Sequence, residues 1–337
     1  MGKSLSTGKL DLDFLADLLA KFTHTDPRVL VGAQIGEDAA VIDMDDRYLV
    51  VTSDPITFVT DQLGYYGVHV NANDIATRGA IPSWFLVTLL LPEALTDKEM
   101  VEGIFSQLHQ ACQELDISLI GGHTEVTFDL DRPVLAGHML GEVGKNGLVT
   151  TGGAVPGDLV LLTQGICIEG ISIIARVKEK ELRKKGYSEE WIQKARNFLF
   201  DPGISVVKGA LTACRAGKIN SMHDPTEGGV ATALHELARA AGVGLLIEED
   251  RIPLFPEMET LCREYALDPL GTISSGTLLI TLPSEETGNI LDSLEEAGIR
   301  ANIIGKVLAD KEKLLLKRNH DLHPLPFFER DEITKIL

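Results

Sequence analysis

The stretch "SWFLVTLLLP", Ser83–Pro92, is an almost unbroken apolar run that ends at a proline. It reads as a fully apolar strand. Longer segments with helical spacing flank it. "GYYGVHVNANDIATRGA" reads as a helix closed by Gly79, and "TDKEMVEGIFSQLHQACQELD" as an amphipathic helix for which Thr96 is the expected cap. Strand-like and helix-like patterns alternate, so a mixed α/β fold is expected.

The rest of the chain repeats the alternation. "AAVID" and "YLVVTSD" read as paired strands, "ISLIGG" as a buried strand and "PVLAGHMLGEVG" as another. The Gly-, Thr- and Pro-rich "GKNGLVTTGGAVPGD" is the expected junction between a domain over residues 1–150 and one over 151–337. After it, "LVLLTQG", "VGLLIEED", "GTLLITLP", "ANIIGKV" and "KLLLKR" read as strands. Residues 168–200, "GISVVKGALTACRAG" and "SEETGNILDSLEEAG" read as helical, with Ser284 capping the last.

Composition narrows the partners. The net charge of −19 argues against nucleic acid, whose phosphates require lysine and arginine. It argues equally against a phosphorylated ligand, unless a divalent cation stands between carboxylate and phosphate. The chain lacks a run of ~20 apolar residues, so a membrane span is not expected. "MGKSLSTGKLDLDF" lacks the apolar core of a secretion signal. The four scattered cysteines form no C-x-x-C pair, which suits a reducing cytoplasm. The usual phosphate-binding and hydrolase motifs, G-x-x-x-x-G-K-[ST], G-x-G-x-x-G after a strand, G-x-S-x-G and H-E-x-x-H, are absent.

What remains are aspartates and glycines in suggestive places. Asp38 precedes a strand in "IGEDAAVI" and Asp54 ends one in "VVTSDPIT". Asn73 and Asp74 sit on the first helix, where Asn71, Asp74 and Arg78 share a face. Each aspartate alone suits an ordinary turn. Converging on one point, they would repel unless cations filled the gap, and Mg2+ suits such a site. In "GGHTEV", Gly121 and Gly122 permit close backbone approach, and His123 is either a turn residue or a proton handler. In "HDPTEGG", Asp224 reads as an N-cap, Pro225 as the first helical residue and Glu227 as the acid of a capping box. Gly228 and Gly229 then fall inside the first turns, where each costs ~1 kcal/mol. That weakness makes sense if the helix start must stay open for an anion.

Taken in order, "GEDAAVI", "TSDPIT", "VNANDIATRGA", "GGHTEV", "GGAVPGD" and "HDPTEGGVATALHELA" resemble the PurM-like group of ATP-dependent enzymes. That group includes aminoimidazole ribonucleotide (AIR) synthase, thiamine-monophosphate kinase, selenophosphate synthetase and the hydrogenase maturation protein HypE. The resemblance covers nearly the whole chain, and the helix motif looks most like HypE and AIR-synthase-related proteins. It implies a two-domain α/β (α+β) fold. The N-terminal domain would form a barrel with a second subunit, making a homodimer, and the C-terminal domain would also be α/β. ATP would lie between the domains. Asp38, Asp54, Asp74 and Asp224 would hold Mg2+ against its phosphates. Lys9, Asn73, Arg78, Gly121, Gly122, Thr226, Gly228 and Gly229 would contact the nucleotide, and His123 with Asp224 would serve catalysis. HypE acts through a cysteine at its extreme C-terminus, whereas this chain ends "RDEITKIL" and its last cysteine is Cys262.

The expected activity is Mg-ATP-dependent phosphoryl transfer to an oxygen of a small-molecule or protein acceptor. Two alternatives stand beside it. One is a HypE-like maturation factor that binds nucleotide and docks to a partner, with "RVKEKELRKKGYSEEWIQKARNF" as a surface. The other is a small-molecule kinase of the thiamine-monophosphate kinase type.

Overall fold

The computed structural model describes residues 10–23, 26–57 and 59–337. Lys9 lies outside them. After helix α1 (Leu12–Phe22), strands β1 (Val29–Val31), β2 (Ala40–Asp43), β3 (Arg47–Ile56), β4 (Ile81–Pro92), β5 (Ser118–Thr127) and β6 (Val134–Gly144) build one sheet, in the order β1-β2-β3-β6-β4-β5. All neighbours are antiparallel except β4 and β5. A parallel pair needs a crossover, and helix α3 (Lys98–Glu114) supplies it. Helix α2 (Leu63–Thr77) is buried along almost its whole length, its polar residues included. It packs on β3 and β6 on one side and on α3 and the second half of the chain on the others.

The second sheet takes β7 (Leu159–Thr163), β8 (Ser221–His223), β9 (Gly244–Glu248), β10 (Leu279–Leu282), β11 (Ala301–Leu308), β12 (Leu314–Arg318) and β13 (Asp321–Pro324), ordered β13-β12-β9-β11-β7-β10-β8. Helices α4 (Ile168–Val177), α5 (Glu179–Lys184), α6 (Glu189–Asn197), α7 (Val207–Ala216), α8 (Gly229–Ala241), α9 (Pro256–Tyr265) and α10 (Thr287–Glu296) accompany it. The mixed α/β reading holds in both halves. Among the described residues, no helix is long and apolar enough to cross a membrane.

Several local expectations are corrected. "ISLIGG" forms β5 as expected, but β5 is exposed rather than buried, with Ile120 54% accessible. It is the last strand of its sheet, with β4 on one side only; an apolar pattern cannot reveal which strand lies at an edge. Helix α3 is capped by Asp97, whose Oδ1 accepts the Met100 N–H at 2.8 Å, while the Thr96 hydroxyl turns back to the Pro92 carbonyl. Ser284 opens a single 3-10 turn, and α10 begins only at Thr287.

The largest correction concerns "HDPTEGG". Asp224 follows the end of β8 and caps nothing. Helix α8 starts at Gly229, with Gly228 in the N-cap position at φ +87°. The glycines therefore do not weaken the helix interior. They make the left-handed corner that lets the chain turn from strand into helix.

Candidate functional site

Asp38, Asp54, Asp74 and Asp224 line one cavity of about 330 Å3, together with Thr226, Glu227, Glu169 and Tyr66. Four elements converge there. The loop before β2 brings Asp38, β3 brings Asp54, α2 brings Asp74, and the turn after β8 brings Asp224.

Local chemistry holds Asp38, Asp54 and Asp74 in place. The Thr52 hydroxyl lies 2.7 Å from Asp74 Oδ2 and 2.8 Å from the Asp38 carbonyl oxygen, so it joins β3 to α2 and to the Asp38 loop. Asn71 Oδ1 accepts the Asp54 N–H at 3.0 Å, and its Nδ2 donates to the Gly67 carbonyl at 2.8 Å. This amide fixes the strand to the helix. Arg78 is fully buried. It pairs with Glu37 at 2.7 Å and with Asp38 at 3.4 Å, and it donates to the Thr151 hydroxyl at 2.8 Å. The Glu37 carboxylate also accepts the Thr151 and Gly152 N–H groups.

The electrostatics call for a cation. Burial, followed by the charge of Asp54, pushes the Asp74 carboxyl well above its ordinary range. Burial and then Asp38 push Asp224 up to about 7. Both Asp224 oxygens are buried with no hydrogen-bond partner among the described residues. A desolvated, unpartnered carboxylate is costly unless a counter-charge reaches it. Asp38, His223 and Asp224 present ligand atoms within 4.8 Å of one another. Asp54 and Asp74 line the same cavity, and carboxylate oxygens are the donors that a hard cation such as Mg2+ prefers.

His223 is a residue that the sequence reading quoted but gave no role. Its Nδ1 lies 2.9 Å from Asp38 and its Nε2 3.0 Å from Glu236. Burial opposes its charge most strongly, yet the two carboxylates prevail and carry its pKa up to about 10. The imidazole is therefore a cation behind Asp38. Its place beside Asp224 in the "HDP" triplet was the available signal. Glu169 was missed as well; it sits in an apolar helix start with no motif around it.

Other expected residues are placed differently. Both polar atoms of Asn73 are engaged: Nδ2 donates to the Ile204 carbonyl and Oδ1 accepts the Val206 N–H, each at 2.8 Å. Asn73 thus clamps α2 to the approach to α7. Thr226 lines the cavity, and its carbonyl accepts the Gly229 N–H at 3.1 Å. The Gly228 N–H is taken by Asp331 Oδ2 at 2.7 Å. The N–H groups of the two glycines therefore already have acceptors within the chain, and the helix start is closed by a carboxylate from the C-terminal segment. Gly121, Gly122 and His123 lie on exposed β5 and do not line the cavity; His123 Nε2 pairs with Glu125 at 3.0 Å.

The chain is similar to several known proteins. The chain is 28% identical to the carbamoyl dehydratase HypE of Rhizobium leguminosarum bv. viciae over 294 residues, which is 82% of this chain and 78% of that protein. It is also 28% identical to the thiamine-monophosphate kinase of Pyrococcus horikoshii over 304 residues, 87% and 88% of the two chains. A crystal structure of the hydrogenase maturation protein HypE in complex with ATP has the same fold, with a TM-score of 0.74, 23% identity and 97% of each chain covered. Residues 36–143 match the N-terminal domain of AIR synthase related proteins, and residues 155–317 match the C-terminal domain. On these matches, which span most of its length, the chain belongs to the AIR synthase related protein family.

Proposed function

We propose that this chain is a Mg2+-dependent ATP-binding enzyme that activates a substrate oxygen by phosphoryl transfer. The observation that carries the reading is the cavity of four aspartates in which Asp224 has no partner for either oxygen. Transfer of a γ-phosphoryl group demands positioning and neutralisation of charge more than covalent help from the protein. Mg2+ held by Asp38, Asp54, Asp74 and Asp224 would supply that neutralisation. The protein's own contribution is to hold Asp38, Asp54 and Asp74 in place through Thr52, Asn71 and Arg78. Relatives of both named kinds, a carbamoyl dehydratase and a thiamine-monophosphate kinase, support an ATP-dependent reaction and leave the acceptor open.

The same reading divides the chain into residues 1–150 and 151–337, with a separate sheet in each. It also takes the protein to be a homodimer in which β5 pairs with a second copy. An edge strand with exposed Leu119, Ile120 and Val126 supports this, since such an edge invites a partner strand. Gly121, Gly122 and His123 would then serve the site across the subunit boundary. Calorimetry with a non-hydrolysable ATP analogue, with and without Mg2+, tests the core of the proposal. Binding that requires Mg2+ is expected, and binding indifferent to Mg2+ would sink it.

A further inference from the structure

One acid in the cavity is not needed by the aspartate cluster. Glu169 stands in the first turn of α4 and is 5% exposed, and its Oε2 has no hydrogen-bond partner among the described residues. Tyr66 on α2 is 1% exposed and lines the same cavity; the Ser172 side chain acts on its hydroxyl, which makes no hydrogen bond of ordinary geometry among the described residues. A buried polar atom without a partner is a standing cost that a bound group removes. Two of them in one cavity mark a place built for a ligand.

The pair borders the aspartates, since the charge of Asp224 reaches Glu169. The charges acting on Asp74 are those of Asp54, Asp224 and Asp38. Those acting on Tyr66 are Glu169, Arg176 and Asp61. Ile56, Val59, Val70 and Ile273 also line the cavity. Apolar walls around two polar atoms suit one small polar group on an otherwise modest ligand.

We propose that Glu169 and Tyr66 form the acceptor subsite, which receives an uncharged hydroxyl group of the substrate and uses Glu169 as its base. This rests on the phosphoryl-transfer reading above. The inventory of donors and acceptors selects the hydroxyl. A carboxylate accepts only, and a tyrosine hydroxyl can donate; an alcohol offers one proton and two lone pairs and satisfies both. A substrate carboxylate would repel Glu169, and an ammonium has no lone pair for Tyr66. In the step, the alcohol oxygen attacks the γ-phosphorus and a new O–P bond forms. The bond from the γ-phosphorus to the bridging oxygen breaks, and its electron pair leaves with ADP. The alcohol proton passes to Glu169 Oε2. Burial raises the Glu169 pKa to about 7, against the moderating effect of Ser275 and with smaller contributions from Asp331 and Asp224. A base of that strength is matched to neutral conditions.

The test uses the full chain with Mg2+ and ATP, and with water alone or added glycerol as acceptor. ADP release is compared among wild type, Glu169→Gln and Tyr66→Phe, alongside each protein's affinity for a non-hydrolysable ATP analogue and its unfolding midpoint. Glu169→Gln is expected to slow ADP release about 100-fold and Tyr66→Phe about fivefold, with nucleotide affinity unchanged. Wild-type ADP release no faster than that of Glu169→Gln, with the analogue bound by both, overturns the inference and spares the nucleotide reading. Failure of the wild type to bind the analogue with Mg2+ overturns both. If Glu169→Gln does not fold, Tyr66→Phe decides alone, and an unchanged rate overturns the inference.

Discussion

The His223 ring is held 2.9 Å from Asp38 on one side and 3.0 Å from Glu236 on the other. This buried cation offsets part of the negative charge that the aspartates bring to the cavity. His223→Gln keeps approximate size and loses the charge. Breaking a buried ion pair from one side costs about 3–5 kcal/mol. Asp38 is about one-third exposed, so the lower end applies. A drop of about 3 kcal/mol in unfolding free energy is expected by urea titration. A loss below about 0.5 kcal/mol would mean that the imidazole is neutral in the fold.

Asp224→Asn should separate metal binding from folding. No hydrogen bond holds the carboxylate, and its ionised form is opposed first by burial and then by Asp38. In EDTA the variant should match or exceed the wild type in melting temperature. Added Mg2+ stabilises whatever state binds it, by about 2.7 kcal/mol at a hundred times the dissociation constant. That Mg2+-induced rise in melting temperature should be present in the wild type and absent in the variant. An equal rise in both would remove Asp224 from the metal site.

The glycines of "HDPTEGG" make a graded prediction. At Gly229, with φ +66°, an added Cβ would meet the Leu270 and Thr272 carbonyl oxygens at 2.6 and 2.7 Å. These are backbone atoms and cannot swing away. At Gly228, with φ +87°, the Thr232 hydroxyl lies at 2.4 Å and its Cβ at 2.8 Å; the hydroxyl can rotate but the Cβ cannot, so the clash is with one side chain rather than with two carbonyl groups. Both substitutions by alanine should destabilise, because a left-handed backbone costs a residue with Cβ about 1–2 kcal/mol. Gly229→Ala should lose about 1–3 kcal/mol more from overpacking. Thermal melts of the two variants check the order.

His69 supplies the pH dependence. Burial lowers its pKa to about 4, against the opposing pull of Glu114 at 3.5 Å. The unfolded chain takes up the proton near pH 6.5 and the folded chain only near pH 4. Between those values the unfolded state binds more protons, so stability from this residue is full above pH 6.5 and is lost as pH falls toward 4. At 1.36 kcal/mol per unit, the loss is about 3 kcal/mol. His69→Phe keeps the ring contact with Tyr65, whose centroid lies 4.1 Å away, and should flatten that segment of the stability profile. An unchanged acid limb would assign the loss to other groups.

The alternation of apolar strands and amphipathic helices was enough to place most elements, because burial of one face is written into the spacing of side chains. Short elements escaped it. β1, β8 and β13 have three or four residues each, too few for a period to show. Asp38, Asp54, Asp74 and Asp224 could be picked out as candidates because each stands at a strand end or on a helix among small residues. What sequence could not reveal was how neighbours spend their hydrogen bonds. Asn73 and Arg78 look like ligand contacts in a linear motif, and in the fold they are tied to Ile204, Val206, Glu37 and Thr151. Asp331, more than a hundred residues from Gly228, closes the start of α8. Such long-range partners depend on topology, not on local pattern.

The exposed edge of β5 leads to the last prediction. Leu119, Ile120 and Val126 stand 39%, 54% and 56% accessible on a strand whose outer backbone groups have no neighbouring strand among the described residues. A long apolar edge left open is a hazard unless a partner strand covers it. On the homodimer reading, Ile120→Lys places a charge in the middle of that interface and should shift the protein toward monomer in sedimentation, because burying an unpaired ammonium costs several kcal/mol. The fold should be unaffected, since Ile120 faces solvent within one chain. If β5 of the partner also brings Gly121, Gly122 and His123 to the site, Mg2+-dependent nucleotide binding should weaken in parallel with dissociation and recover at high protein concentration. A variant that remains dimeric, or a wild type that sediments as a monomer, would place the subunit contact elsewhere and leave His123 outside the site.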